Sequence, residues 1–296
     1  MTKNELSFQI VGTVRDVSHS IESELYKVET IFREFGDVKT FLVESDSTDD
    51  TLQKLEKIRK ENRDFSFLSL GKVQQKYQNR YERISHCREH YLEYVRENIT
   101  NVDYVVVVDL DGMNAGLTKD SVRNTLEKSE VWDAVFANQR GRYFDIGALR
   151  HEYWSPNDCF RAMGWASTIT TEKRARLLAI QSRMIKLEET AGLIPVDSAY
   201  GGLGIYKLNA FIRGSYLGFD QFGEPQLDFV TFNLSLSKMG YRLFIDSQLI
   251  NSVFNSHNAS EKLLYRQLKR MGQAIPSSYW KRKIKWKLIR SISRGS

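Results

Sequence analysis

The chain has 296 residues, 41% hydrophobic and 27% charged, enough for one large domain with a full core. Its two cysteines, Cys87 and Cys159, form neither a zinc pattern nor a disulfide framework, which fits a reducing cytoplasm. The formal charge of +6 is unevenly placed: residues 261–296 hold eleven Lys/Arg against one Glu, so the first 260 carry about −4. An acidic body without an aromatic stacking platform argues against nucleic acid as a partner.

The opening "MTKNELSFQIVGTVRD" has no basic-then-apolar signal pattern, and no apolar run approaches the roughly 18 residues of a membrane span. A soluble or peripheral protein is expected. Phe8–Asp16 reads as a buried strand running into a polar loop. Ile21, Leu25, Val28, Ile31, Phe32 and Phe35 then form a helical stripe, with Ser18 or Ser20 as its cap. Thr40–Val43 is a second strand, "TLQKLEKIRKE" a second helix and "FSFLSL" a third strand. A long polar helix is predicted over Gln74–Asn98, and Val105–Val108 is a strand buried on both faces.

Beyond residue 130 the rhythm changes. "WDAVFANQ" reads as a strand and "TTEKRARLLAIQSRMIKLEE" as an exposed helix. "VDSAYGGLGIYKLNAF" and "YRLFIDSQLINSVF" read as late strands flanking a loop, "FGEPQLDFVTFNLSLSKMG". Alternating strands and helices followed by a mixed half predict one α/β domain with a mostly parallel sheet.

The chemistry concentrates in "YVVVVDLDGMNAG". Asp109 and Asp111 leave the C-terminal end of a buried strand, where ligand-binding loops of parallel sheets gather. Three readings are open. One aspartate can cap the next turn while the other is solvated. Both can hold one Mg²⁺ or Mn²⁺, hard cations that take carboxylates together with substrate phosphates. Or the strand and Asp-x-Asp-Gly begin a haloacid-dehalogenase-like phosphatase, with Asp109 as nucleophile and Asp111 as proton shuttle. Such enzymes place the motif near the N-terminus and need a later acidic pair, whereas about a hundred residues come first here. The loop "ESDSTDDT" supplies helix caps at Ser47, Thr48 or Asp49 and, in Glu44, Ser45 and Asp46, oxygens able to grip a ribose or base edge.

In order, "TVRD", "VESDSTDDT", "RYERISHCREHYLEYV", "VVVVDLDG", "YFDIGALR", "DSAYGGLGIYK" and "GEPQLDFVTFN" resemble GT-A-fold glycosyltransferases. Within that group the chain is most similar to the capsule-associated mannosyltransferase-type family and its bacterial relatives, over about residues 8 to 257. In the last motif the family pattern places an acid, often Glu followed by His; here Pro225 follows Glu224.

The resemblance implies a GT-A-like (Rossmann-like) domain over residues 1–260, with a nucleotide-binding half at 1–130 and an acceptor half at 131–260. It implies that Thr13, Arg15, Asp16, Glu44 and Asp46 hold the nucleoside of a UDP- or GDP-linked sugar. Arg80, Arg83 and Arg88 would clamp the diphosphate. Asp109 and Asp111 would bind Mn²⁺ or Mg²⁺, with His257 as a late metal ligand. Asp145 would hydrogen-bond the donor sugar, and Gly201-Gly202 would let backbone approach it. Glu224 or Asp228 would be the acid at the acceptor, a glycan or lipid-linked hydroxyl.

In the 261–296 tail, Trp280, Ile284, Leu288 and Ile292 recur every four residues among Lys and Arg. Residues 277–296 are therefore expected to form a basic amphipathic helix suited to an anionic membrane surface. The expectation is a metal-dependent, cytoplasmic transferase peripheral at the inner membrane face and acting in surface polysaccharide synthesis. Its rivals are the phosphatase and an inactive GT-A-like module that binds a glycan or membrane.

Overall fold

The computed structural model describes residues 6–252. Strand β1 (Leu6–Val14) leads into helix α1 (Ile21–Arg33), and β2 (Gly36–Glu44) into α2 (Thr51–Glu61). β3 (Phe65–Ser69), α3 (Arg80–Asn98) and β4 (Tyr104–Val108) follow. These four strands lie parallel in the order β3-β2-β1-β4. Their side chains alternate between two cores. Val11, Val105 and Val107 pack on Tyr91, Leu92 and Val95 of α3. Phe8, Ile10, Val106 and Val108 pack with Ile21, Leu25, Val28 and Phe32 of α1. A strand covered on both faces cannot show polar alternation, hence the unbroken valine run.

The second half contains α4 (Lys119–Leu126), β5 (Ala134–Gln139), α5 (Cys159–Ser167), α6 (Glu172–Ala179) and β6 (Leu193–Pro195). β7 (Leu203–Lys207), α7 (Leu208–Phe211), α8 (Asp228–Lys238) and β8 (Leu243–Ser252) complete it. β7 runs antiparallel between β4 and β5, β8 is parallel to β5, and β6 is antiparallel to β8 at the edge. The result is a single mixed sheet in one α/β domain. The C-terminal ends of β1, β2, β4, β5 and β8 share one rim with the N-terminal end of β7. The chain order departs to both sides of β1 there, a switch point where α/β sheets form a ligand crevice.

Four expectations need correction. The helix expected from Gln74 starts at Arg80, because the Asn79 side chain accepts the Tyr81 N–H at 2.8 Å and resets the cap; Val73–Gln75 is a separate 3₁₀ turn. The exposed helix of the second half ends at Ala179, after which Ile180 and Leu187 are drawn into the core. The late "loop" contains α8, which buries Phe229, Val230, Phe232 and Leu236 at helical spacing. Ser20 stands at the N-cap of α1 without a capping hydrogen bond; its hydroxyl instead donates to the Leu110 carbonyl at 2.9 Å. Among the described residues no helix is long and apolar enough to cross a membrane. His257 and the helix expected over 277–296 lie outside the described residues.

Candidate active site

The Asp109–Gly116 loop is held from three sides. Glu24 of α1 accepts both the Asn114 backbone N–H and its side-chain amide at 2.9 Å. The same amide donates to the Asp109 carbonyl at 2.6 Å. Gly116 N–H donates to the Asn251 carbonyl at 2.7 Å, and Lys27 Nζ to the Ala115 carbonyl at 2.5 Å. Ser20, Glu24, Asn114 and Asn251 thus hold the loop and escaped sequence reasoning. Polar residues on a helix face look solvated until the loop they meet is known.

Asp109 sits with 35% of its side chain exposed. The Tyr200 hydroxyl donates to its Oδ1 at 3.0 Å, and no described residue engages Oδ2. Burial among protein atoms, reinforced by the nearby Asp111 and Asp145, pushes the Asp109 carboxyl up to about 7, although Arg88 and the Tyr200 hydrogen bond pull it down. Asp111 is exposed and has no hydrogen bond or ion pair among the described residues. This donor set fits a divalent cation: two neighbouring carboxylates that repel each other, one with an oxygen unclaimed among the described residues, would gain by sharing a positive charge. No group of three or more His, Cys, Asp or Glu gathers here among the described residues. Such a cation would complete its shell with phosphate and water oxygens, as Mg²⁺ and Mn²⁺ do in nucleotide sites. The phosphatase reading needs a further acidic pair, and none gathers here among the described residues. The nearby Asp145 spends both oxygens on backbone.

Asp145 accepts the Gly201 N–H at 3.0 Å through Oδ2 and the Ala148 N–H at 3.3 Å through Oδ1. It therefore pins the Gly201-Gly202 turn against the Asp109 loop, and Gly202 in turn accepts the Asp109 N–H at 2.9 Å. Both glycines have positive φ, +71° and +91°. A Cβ on Gly201 would lie 2.6 Å from the Ala137 carbonyl oxygen, which is backbone and cannot yield. Gly201→Ala is expected to lower stability by about 2–4 kcal/mol, read as a shifted denaturant midpoint at unchanged slope. It should weaken ligand binding as well, because it displaces the partner of Asp145.

Beneath this loop lies Arg88, 8% exposed, with its Nε 2.5 Å from Asp228 Oδ2 and an Nη 3.8 Å from Asp109 Oδ1. The Nε contact is an ion pair lacking hydrogen-bond alignment, since neither atom has a hydrogen-bond partner. The guanidinium also donates to the Tyr91 hydroxyl at 3.1 Å and lies 3.9 Å over the Phe229 ring, which stacks on Tyr200 at 3.6 Å. Burial raises the Asp228 carboxyl despite the opposing pull of Arg88. One buried cation therefore links Asp109 to Asp228.

The three arginines have different surroundings. Arg80 is exposed at the start of α3, and Arg83 spends its guanidinium on the Tyr77 and Gln78 carbonyls at 3.0 Å. Arg88 is enclosed. Their sequence spacing places them near one stripe, and both Arg88 and Arg80 pull on the Asp228 carboxyl.

On the other side of the rim, two loops are stitched together. Asp16, at φ +51°, accepts the Thr48 N–H at 2.7 Å, which holds its carboxyl below the usual range. Val17 N–H donates to the Thr51 hydroxyl at 2.8 Å and Ser18 N–H to Asp49 at 3.0 Å. Arg15 is exposed with Asp16 at 3.4 Å, and Thr13 is half-buried. Asp46, at φ +59°, accepts the Gln74 N–H at 3.0 Å. Glu44 is 1% exposed, with Oε1 accepting the Ser47 N–H and Oε2 the Ser69 hydroxyl. Its place is that of a loop brace. Glu224 is exposed on a turn between the bridge partners Phe219 and Pro225, apart from the enclosed Asp228.

No protein-family profile and no curated protein matches the chain. Solved structures with a similar course include the mannosyltransferase PcManGT from Pyrobaculum calidifontis in complex with GDP-Man and Mn²⁺. It has 12% identity and a TM-score of 0.49 over 86% of this chain and 59% of that one. Residues 1–349 of S. aureus TarS give 12% and 0.44 over 93% and 68%. Glucosyl-3-phosphoglycerate synthase of M. tuberculosis gives 15% and 0.44 over 90% and 81%. This chain thus spans well under two thirds of the mannosyltransferase. At such values the likeness concerns the general course of the chain, and what those proteins bind belongs to them.

Proposed function

We propose that the protein is a metal-dependent glycosyltransferase that moves a sugar from a nucleoside-diphosphate donor to a hydroxyl of a glycan or lipid-linked acceptor. The observation that carries this reading is the Asp109/Asp111 pair at the switch-point rim, with Asp109 Oδ2 unclaimed and Asp111 without a partner among the described residues. Mn²⁺ or Mg²⁺ held there would offset the charge developing on the departing nucleoside diphosphate. The loops carrying Thr13, Arg15, Asp16 and Asp46 flank the same rim and offer a place for the nucleoside. Asp145 and the Gly201-Gly202 turn form the floor on which the donor sugar would lie.

Of the two acids proposed for the acceptor side, Glu224 is the one a hydroxyl can reach. Asp228 is enclosed and paired with Arg88. The basic sequence 277–296 suits the anionic inner face of a membrane, where lipid-linked or surface glycans are assembled.

Calorimetric titration of UDP and GDP, each with Mn²⁺ and with EDTA, tests the donor reading. One nucleotide is expected to bind only with metal. Binding of neither would leave the inactive module as the better account. Metal affinity should also follow the Asp109 proton. Mn²⁺ binding should tighten about tenfold per pH unit below about 7 and level off above it, because that carboxyl must ionise to ligate.

A further inference from the structure

A concavity of about 240 Å³ lies beside the Asp109 rim, between the first turn of α3, the start of α5 and the 218–227 loop. Tyr81 and Phe160 face it, together with Leu227, Asp158, Arg161 and Glu224. From this pocket, and resting on the glycosyltransferase reading, we infer that it is the acceptor subsite and that it takes an uncharged or amino sugar unit, not a phosphorylated one.

Its position follows from the fold. Tyr81 and Arg88 are seven residues apart on α3, so they share a face at a separation of roughly 10 Å. Leu227 directly precedes Asp228, the partner of Arg88. The pocket is therefore about one short saccharide away from the Asp109–Arg88–Asp228 cluster along α3. It is also a built feature. Gly218 brings its loop so close to α3 that a Cβ would lie 2.8 Å from the Glu82 nitrogen. Gln226 N–H closes the loop onto the Gly218 carbonyl at 2.9 Å, and Arg161 latches it through Asp220 at 2.6 Å.

The class of occupant follows from charge. Arg161 is neutralised by Asp220. Asp158 uses Oδ1 to cap α5 and Oδ2 to take Arg150 and the Gln226 amide. Glu224 has no side-chain partner among the described residues, and no unpaired cation lines the pocket. A phosphate or carboxylate would meet that surplus negative charge with no unpaired cation in the lining to compensate it; the exposed Arg80 precedes Tyr81 but does not line the pocket. A sugar ring offers a C–H face to Phe160, which is 39% exposed, and hydroxyls or an ammonium to Glu224.

Saturation-transfer NMR on the full chain tests this with methyl glycosides of glucose, mannose, galactose and N-acetylglucosamine, with glucosamine, and with glucose 6-phosphate. At least one neutral or amino sugar is expected to bind, with its apparent affinity cut about tenfold or more in Phe160→Ala. Glu224→Gln, an exposed and isosteric change, should admit glucose 6-phosphate several-fold better than the native protein does. Preferential binding of glucose 6-phosphate to the native protein overturns the inference. So does absence of any sugar signal, or a sugar signal unchanged in Phe160→Ala. Manganese–nucleotide titration on the same samples reads the donor side separately. Failure there alone brings down the transferase reading, and intact binding in Phe160→Ala shows that the variant is folded.

Discussion

Asp111→Ala is expected to lower metal-dependent transfer by about a thousandfold or more, the several kcal/mol that a metal on a leaving diphosphate supplies. The melting temperature should stay within about 2 °C, because Asp111 is exposed and touches no described partner whose loss would cost stability. Manganese-dependent nucleotide affinity and thermal melting, measured together, check the pair of outcomes. Loss of binding with a large drop in melting temperature would mean that Asp111 is a structural residue. Unchanged binding would remove it from the site.

Asp109→Asn separates the two aspartates. The Asp109 carboxyl titrates near 7 in the fold, against about 4 in an unfolded chain. In the metal-free protein its ionisation therefore costs stability as pH climbs from about 4 through 7. What it contributes is fully present below the unfolded value and lost above the folded one. Asparagine keeps the shape and removes that cost. The variant is expected to be more stable than the native apoprotein at pH 8, by about 1–2 kcal/mol after allowing for solvent screening of a side chain 35% exposed. At pH 4 the two should be nearly equal. Urea unfolding at both pH values measures this, and metal binding should be lost at either.

The place of these two residues at the exit of a buried strand was legible in the sequence because buried parallel strands and their exit loops have a strong local signature. Four valines followed at once by two acids leave few alternatives. The supports of that loop were not legible. Glu24 and Asn114 are 90 residues apart in the chain, and only the packing of α1 across β4 makes them partners. Helix α8 was missed for a different reason. Its serines and asparagine suggest a loop, while Phe229, Val230, Phe232 and Leu236 show helical spacing only when read as one face. The arginines of α3 share a further difficulty: a stripe gives direction but not depth. Arg83 turned back to cap carbonyls and Arg88 went inside, which no spacing rule distinguishes from a phosphate clamp.

Arg88→Met is expected to be the most destabilising substitution in the site, by about 3–5 kcal/mol near neutral pH. Methionine fills much of the space and keeps contact with Phe229, but it leaves Asp228 and Asp109 without the cation between them. Both carboxyls are already raised by burial with Arg88 holding them down, so its removal raises them further. The sign fixes the pH dependence. A raised folded value means that stability is intact below the unfolded value near 4 and is lost as pH rises toward the folded one. The deficit of Arg88→Met should accordingly be small at pH 4 and grow to its full size by pH 8. Adding Asp228→Asn to the same chain removes one of the two stranded charges and should recover about half the loss or more. A deficit independent of pH, or one that the second substitution does not relieve, would mean that Arg88 acts through packing on Phe229 and Tyr200. If the double variant regains stability but not nucleotide affinity, the arginine's charge is needed to hold Asp109 in place for the metal.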